Sequence, residues 1–260
     1  MPAWLVFLLS AGAVILAGSR LSRDGDALAE GTGLGGAWIG AILVAGATSL
    51  PELATDIYAV RAGQVGLAVG DLYGSCMANI LILAVADLST RHVRVLTRVA
   101  INQVLVGLLA VSLLATAVAG SMAHLNLAVL GIGWGPLAIG IGYIVGMRLL
   151  HINRSEQPPF ETATEAEEHQ RRAPGMRGAI LGFIASAAVI LVAARFLAES
   201  SGQLAAQWGL SGGFVGMVLV AMTTSLPEVT VSIAAVRSGS YDLAVGNLLG
   251  SNCFNMAILP

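Results

Sequence analysis

The chain has 260 residues, of which 56% are hydrophobic and only 11% charged, and its mean hydropathy is +0.82. That composition excludes an ordinary soluble domain, and a formal net charge of −2 without a basic patch excludes a nucleic-acid-binding surface. The two cysteines, Cys76 and Cys253, fall inside apolar segments and read as small core residues, not as a disulfide framework or a metal-ligand pair.

A helix that crosses a bilayer core needs about 20 mostly apolar residues, and the apolar runs supply eight candidates. The first, about 3 to 19, has neither a basic stretch before it nor a small-residue cleavage pattern, so it reads as a retained span and not as a signal peptide. Spans follow at about 36 to 60, 65 to 86, 99 to 119 and 125 to 147. Residues 151–177 are polar, mixed in charge and carry a proline pair, which predicts a cytoplasmic linker. Beyond it lie apolar runs at about 178 to 198, 211 to 236 and 243 to 260. The expected fold is an all-α membrane protein: a first membrane repeat of five helices over 1–150, the linker, and a second repeat of three helices over 178–260. Because Pro260 falls in the middle of an apolar run, the second repeat is expected to be truncated by two spans.

All 13 basic residues are arginine. With the N-terminus outside, eleven fall on the inner side and only Arg61 and Arg195 on the outer side, the bias that cytoplasmic loops show.

An internal repeat governs the rest of the reading. Residues 46–83 align without a gap to 222–259 at an offset of 176, so that Thr48, Ser49, Leu50, Pro51 and Glu52 fall on Thr224, Ser225, Leu226, Pro227 and Glu228. Gly74, Ser75 and Asn79 fall on Gly250, Ser251 and Asn255. Matching helices lie five spans apart, hence run in opposite directions, and the repeats are inverted. Inverted repeats are a common plan for secondary transporters, which hold substrate near the midplane where broken helices meet.

In each copy a carboxylate follows proline deep inside an apolar helix. Proline has no amide to donate and clashes with the preceding turn, so nearby carbonyls lose regular partners and become available to a cation. A charged Glu at the centre of a span costs at least about 2.5 kcal/mol, and two at symmetric positions call for a compensating role. Ca2+ takes about 6 to 8 oxygen ligands; two bidentate carboxylates, Glu52 and Glu228, with the backbone carbonyls of Thr48 and Thr224 would supply six. His92, His124, His151 and His169 all fall in or beside predicted loops, which argues against a zinc or copper site and against a histidine proton relay. Ser75 with Asn79, and Ser251 with Asn255, are spaced i, i+4 on one helix face, and their neutral oxygens suit Na+ or ordinary interhelical hydrogen bonding. Gly70, Gly74, Gly246 and Gly250 form small-xxx-small patterns and read as packing residues.

On these motifs the chain resembles the calcium/cation antiporter superfamily, the sodium/calcium exchangers and their prokaryotic relatives, whose α-repeats the two copies resemble. The resemblance implies ten helices in two inverted fives, of which eight are expected here, placed in a bacterial inner membrane. It implies that Glu52 and Glu228 bind Ca2+ and share Na+ sites, that Thr48 and Thr224 add carbonyls and hydroxyls, and that Ser49, Ser225, Ser75 and Ser251 complete Na+ sites. Ala45 and Ala221 would lend backbone carbonyls, and Asn79 and Asn255 would flank the central site. The first and sixth helices are similar to that family's sliding gate. Three departures stand out: Asp56 opposite Ser232, Asp71 opposite Asn247 and Cys76 opposite Asn252. Asp56, one turn beyond Glu52 on the same face, is a further ion or proton ligand on one access path or else a wet helix end.

The expected function is therefore secondary active antiport, Ca2+ leaving in exchange for Na+, with Ca2+ and Na+ as transported ions, the lipid bilayer as surroundings and no organic cofactor. A proton-coupled Ca2+ antiporter and a non-transporting or degenerate membrane subunit are the alternatives. A cation channel would need a filter loop the sequence lacks, and an enzyme would need a Ser/His or metal constellation it also lacks. Oligomeric state stays open.

Overall fold

The computed structural model describes residues 1–61, 63, 65–89, 95–97, 101–123, 128–129, 132–152, 175–209 and 222–259. Helix α1 spans Ala3–Thr32; α2 spans Gly36–Thr48, with a π-helical stretch over Gly40–Val44, and continues after a break as α3, Leu50–Arg61. Then come α4, Val65–Ser89; α5, Ile101–Ala123; α6, Trp134–Ile152; α7, Met176–Gln207; α8, Leu226–Ser238; and α9, Tyr241–Ala257. Among the described residues the only strands are a two-residue antiparallel pair, Ala128 against Gly133 and Val129 against Ile132.

Five of these helices, α1, α4, α5, α6 and α7, are long and apolar enough to cross a membrane, or six spans if α2 and α3 are taken as one bent by 45°. The seventh expected span is described only from 222 onward, and α9 has 17 residues, so these two fall below span length within the described residues. The interior combines a hydrophobic core with buried polar side chains, and the exterior is rich in large apolar ones. Leu8, Leu16, Leu81, Leu88, Ile144 and Leu181 are exposed, whereas Thr48, Ser49, Glu52, Asn247 and Asn255 are fully buried. Many large apolar side chains turned outward are the pattern of a helical bundle solvated by lipid.

Helices α1 and α7 form the most extensive helix pair in the fold. Both are longer than their apolar runs predicted, 30 and 32 residues against the expected 3 to 19 and 178 to 198. Hydropathy ends α1 at its Arg20–Asp26 stretch, but the backbone stays helical because those polar groups are accommodated: Arg20 pairs with Asp24 one turn away at 3.4 Å, and Ser240 donates to Asp26 at 2.7 Å. The fifth span starts at Trp134, later than the expected 125. Of the predicted linker, 153–174 lie outside the described residues, and α6 and α7 each take two residues from its ends.

Helix α9 runs through the centre, against α2, α4, α5 and α8. It approaches α2 so closely that a Cβ on Gly246 would sit 2.8 Å from the Ala37 carbonyl oxygen, and one on Gly250 would overlap the backbone of Ala41. The small-residue reading of Gly246 and Gly250 therefore holds. Gly70 has no such contact among the described residues.

Candidate cation site

The repeat is visible in the backbone at two places before any side chain is considered. Ser49 (φ −87°, ψ 4°) and Ser225 (φ −80°, ψ 4°) leave helical geometry at equivalent positions, each directly before the Leu-Pro-Glu sequence. Pro51 and Pro227 cannot donate to the preceding turn, so each helix breaks there and restarts with its glutamate in the first turn. At the far end of each motif helix, Gly63 (φ 76°) and Gly239 (φ 87°) take the left-handed conformation that favours glycine, and their N–H groups donate to Val60 and Val236 at 3.0 and 3.2 Å. Two sequence copies thus build one helix break and one turn twice.

These breaks deliver Thr48, Ser49 and Glu52 from one repeat and Thr224, Ser225 and Glu228 from the other, all buried to 2% exposure or less. The repeats meet directly. Ser49 donates to Glu228 Oε1 at 3.3 Å, and the Thr48 hydroxyl lies 3.1 Å from Asn247 Oδ1 and 3.5 Å from Ser251 Oγ. Glu52 and Glu228 are near enough to bear on one another electrostatically. Helix α4 adds Ser75 and Asn79, and α9 adds Ser251 and Asn255, each 1% exposed or less.

The oxygens that remain without a donor decide what the cluster can do. Glu52 Oε2, Glu228 Oε2, Ser75 Oγ, Ser225 Oγ, Asn79 Oδ1 and Asn255 Oδ1 are all buried with no hydrogen-bond partner. A buried polar atom left unpaired costs about 1–3 kcal/mol, more when charged, so six such oxygens drawn from the four mirror-related elements form a set fitted to a hard cation. Among the described residues no three His, Cys, Asp or Glu side chains gather as a metal-binding group; the charge that bears most on Glu52 is that of Glu228, followed by Asp71 and Asp56.

The predicted carbonyl donors fare differently. The Ala45 carbonyl accepts from the Ser49 N–H at 3.0 Å and lies 3.2 Å from the Thr48 hydroxyl, so it is engaged within its own helix in this conformation. Ala221 lies outside the described residues.

Two partners escaped the spacing argument. Asn247 continues the Ser251, Asn255 series by another i, i+4 step on α9; its Oδ1 faces Thr48 and its Nδ2 donates to Ser232 at 3.1 Å. Asn252 accepts from Asn79 Nδ2 at 2.9 Å, which turns the Asn79 oxygen away from the pair and leaves it unpartnered. The sequence marked both positions only as mismatches between repeats.

One consequence is local. Ser49→Ala removes the hydroxyl that donates to Glu228, and a hydrogen bond to a charged group contributes about 1.5–3 kcal/mol. With Glu228 as a cation ligand, the substitution is expected to weaken binding about tenfold or more without changing protein yield, read as the half-saturating cation concentration in a binding titration.

The family model for sodium/calcium exchanger protein matches residues 2–145 and 178–260. Inner membrane protein YrbG of Escherichia coli (strain K12) is 31% identical over 250 residues, covering 95% of this chain and 74% of that protein. The putative antiporter CaxA of Alkalimonas amylolytica is 26% identical over 250 residues, covering 94% of this chain and 74% of its own. Among solved structures, the sodium-calcium exchanger NCX_Mj, soaked with Na+ and Sr2+, superposes with a TM-score of 0.76 at 24% identity, over 98% of this chain and 81% of that one. The likeness to NCX_Mj establishes the fold of the helical bundle.

Proposed function

The chain belongs to the sodium/calcium exchanger protein family, and from that membership we propose that it is a secondary active antiporter that exports Ca2+ in exchange for Na+ by alternating access. It works in a bacterial inner membrane with its N-terminus outside, an orientation supported by the arginine distribution. Glu52 and Glu228 bind Ca2+ with the backbone of Thr48 and Thr224. Ser49, Ser75, Ser225, Ser251 and the Ala45 and Ala221 carbonyls serve Na+, and Asn79 and Asn255 flank the central site.

The observation that carries this reading is the pair of mirror-related carboxylates, each 1% exposed and each with one oxygen unpartnered. Two carboxylates give the empty site a charge of about −2, which is costly to enclose in a low-dielectric closed state. Bound Ca2+ cancels that charge, and so do Na+ ions or protons. Only loaded sites then change sides readily, so exchange is obligatory and one-way leak is suppressed. The long α1 and α7 lie against the broken helices and are the elements that would slide past them.

The driving ion is tested in inverted membrane vesicles. A Na+ gradient at constant pH is expected to drive Ca2+ accumulation, and a pH gradient without Na+ is expected not to. Accumulation driven by the pH gradient alone would replace this reading with the proton-coupled one.

A further inference from the structure

Asp56 and Asp71 are acidic positions that the glutamate site does not use. At the offset of 176 they correspond to Ser232 and Asn247, and in the second repeat those two side chains touch: Asn247 Nδ2 donates to Ser232 Oγ at 3.1 Å, and Ser232 Oγ reaches the Ala244 carbonyl at 3.5 Å. The neutral pair is hydrogen-bonded throughout, since Asn247 Oδ1 also accepts from the Thr48 hydroxyl at 3.1 Å. In the first repeat the same two places on packed helices, α3 and α4, hold two carboxylates, neither of which can donate to the other when ionised.

Asp56 is not a wet helix end. It is 3% exposed, and neither of its oxygens has a hydrogen-bond partner; Asp71 Oδ2 is likewise buried without one. The charge that bears on Asp56 is that of Asp71, and both bear on Glu52. A buried carboxylate with neither oxygen paired, beside a half-buried one with an unpaired buried oxygen, is an arrangement that a cation makes tenable. Asp56 lies one turn from Glu52 on α3, and Asp71 one turn from Ser75 on α4, so the pair sits between the glutamate site and the Gly63 turn.

We propose that Asp56 and Asp71 form a second divalent-cation site, next to the glutamate pair on one access route and absent from the other. Two carboxylates match the charge of a divalent ion, and their hard oxygens with added water suit Ca2+ better than any soft metal. The two routes are then chemically unequal: one presents Ca2+ with a carboxylate pair between the glutamates and the membrane face, and the other presents a neutral, hydrogen-bonded Ser–Asn pair. The inference rests on reading Glu52 and Glu228 as the transport site.

The test uses the full chain in lipid nanodiscs with 45Ca2+ as the probe. In a Glu52→Gln/Glu228→Gln background, one saturable Ca2+ site per chain is expected to remain, and adding Asp56→Asn/Asp71→Asn is expected to remove it. In proteoliposomes and the wild-type background, Asp56→Asn/Asp71→Asn is expected to raise the half-saturating Ca2+ concentration for exchange about tenfold on one membrane face and to leave it unchanged on the other. Unchanged half-saturation on both faces would overturn the proposal, as would occupancy of the pair by 22Na+ with no 45Ca2+. Full exchange by the glutamate double variant would instead overturn the glutamate site, so the two failures are distinguishable.

Discussion

Replacing Glu52 or Glu228 by Gln is expected to abolish Ca2+ exchange while leaving the protein folded. Glutamine keeps the shape and one oxygen of the side chain but removes a unit of charge. A single carboxylate then faces a divalent ion, which leaves a net positive charge enclosed in apolar surroundings. Breaking a buried ion contact costs about 3–5 kcal/mol, and each 1.4 kcal/mol is a factor of ten, so the loss in affinity is about two to three orders of magnitude. The apo protein loses nothing comparable, because a charged side chain at mid-membrane costs about 2.5 kcal/mol or more and Gln does not carry that penalty. Thermal unfolding of the purified variants without Ca2+ is expected to occur at or above the wild-type temperature, while Ca2+ uptake by proteoliposomes falls to that of protein-free vesicles. Near wild-type exchange by either variant would remove that glutamate from the site.

The second large effect is steric. Gly250→Val is expected to prevent α9 from seating on α2, because even a Cβ there would overlap the Ala41 backbone, and a backbone atom cannot rotate aside as a side chain can. Adding bulk to a packed interface costs about 1–3 kcal/mol and more where nothing yields; a valine at a helix crossing belongs at the upper end. Ala41 sits one turn before Ala45 in the segment that carries Thr48, so a displaced α9 also loses the Thr48 contacts to Asn247 and Ser251. Unfolding temperature and Ca2+ binding should therefore fall together. Gly140→Ala on α6, where a Cβ meets nothing within 4 Å, is the control and should leave Ca2+ binding unchanged and the unfolding temperature at or above that of the wild type.

Much of this was legible in the sequence, for an identifiable reason. Proline ahead of a carboxylate is a backbone event as well as a side-chain one, so the duplicated Thr-Ser-Leu-Pro-Glu run announced both the helix breaks at Ser49 and Ser225 and the burial of Glu52 and Glu228. The i, i+4 spacing likewise placed Ser75 with Asn79 and Ser251 with Asn255 on one face of each helix, and the structure buries both faces. What stayed hidden were pairings across the repeats. Asn252 holds Asn79, and Asn247 holds both Thr48 and Ser232, through contacts about 170 to 200 residues apart or around a turn, which no local pattern encodes. Helix length was hidden too. Hydropathy reports where a helix faces lipid, and α1 continues past Arg20 because Asp24 pairs with Arg20 one turn away and Asp26 accepts from Ser240 of the second repeat. Asp56 shows the limit most clearly: one turn past Glu52 it could have faced water, and only its enclosure shows otherwise.

Obligatory coupling is the claim on which the rest depends, and 45Ca2+ efflux from proteoliposomes containing the full chain tests it most directly. With choline as the external cation, matched pH and a chelator holding external Ca2+ near zero, efflux is expected to match protein-free liposomes, and external Na+ is expected to start it. Efflux that proceeds equally fast with and without an opposing cation would contradict the account.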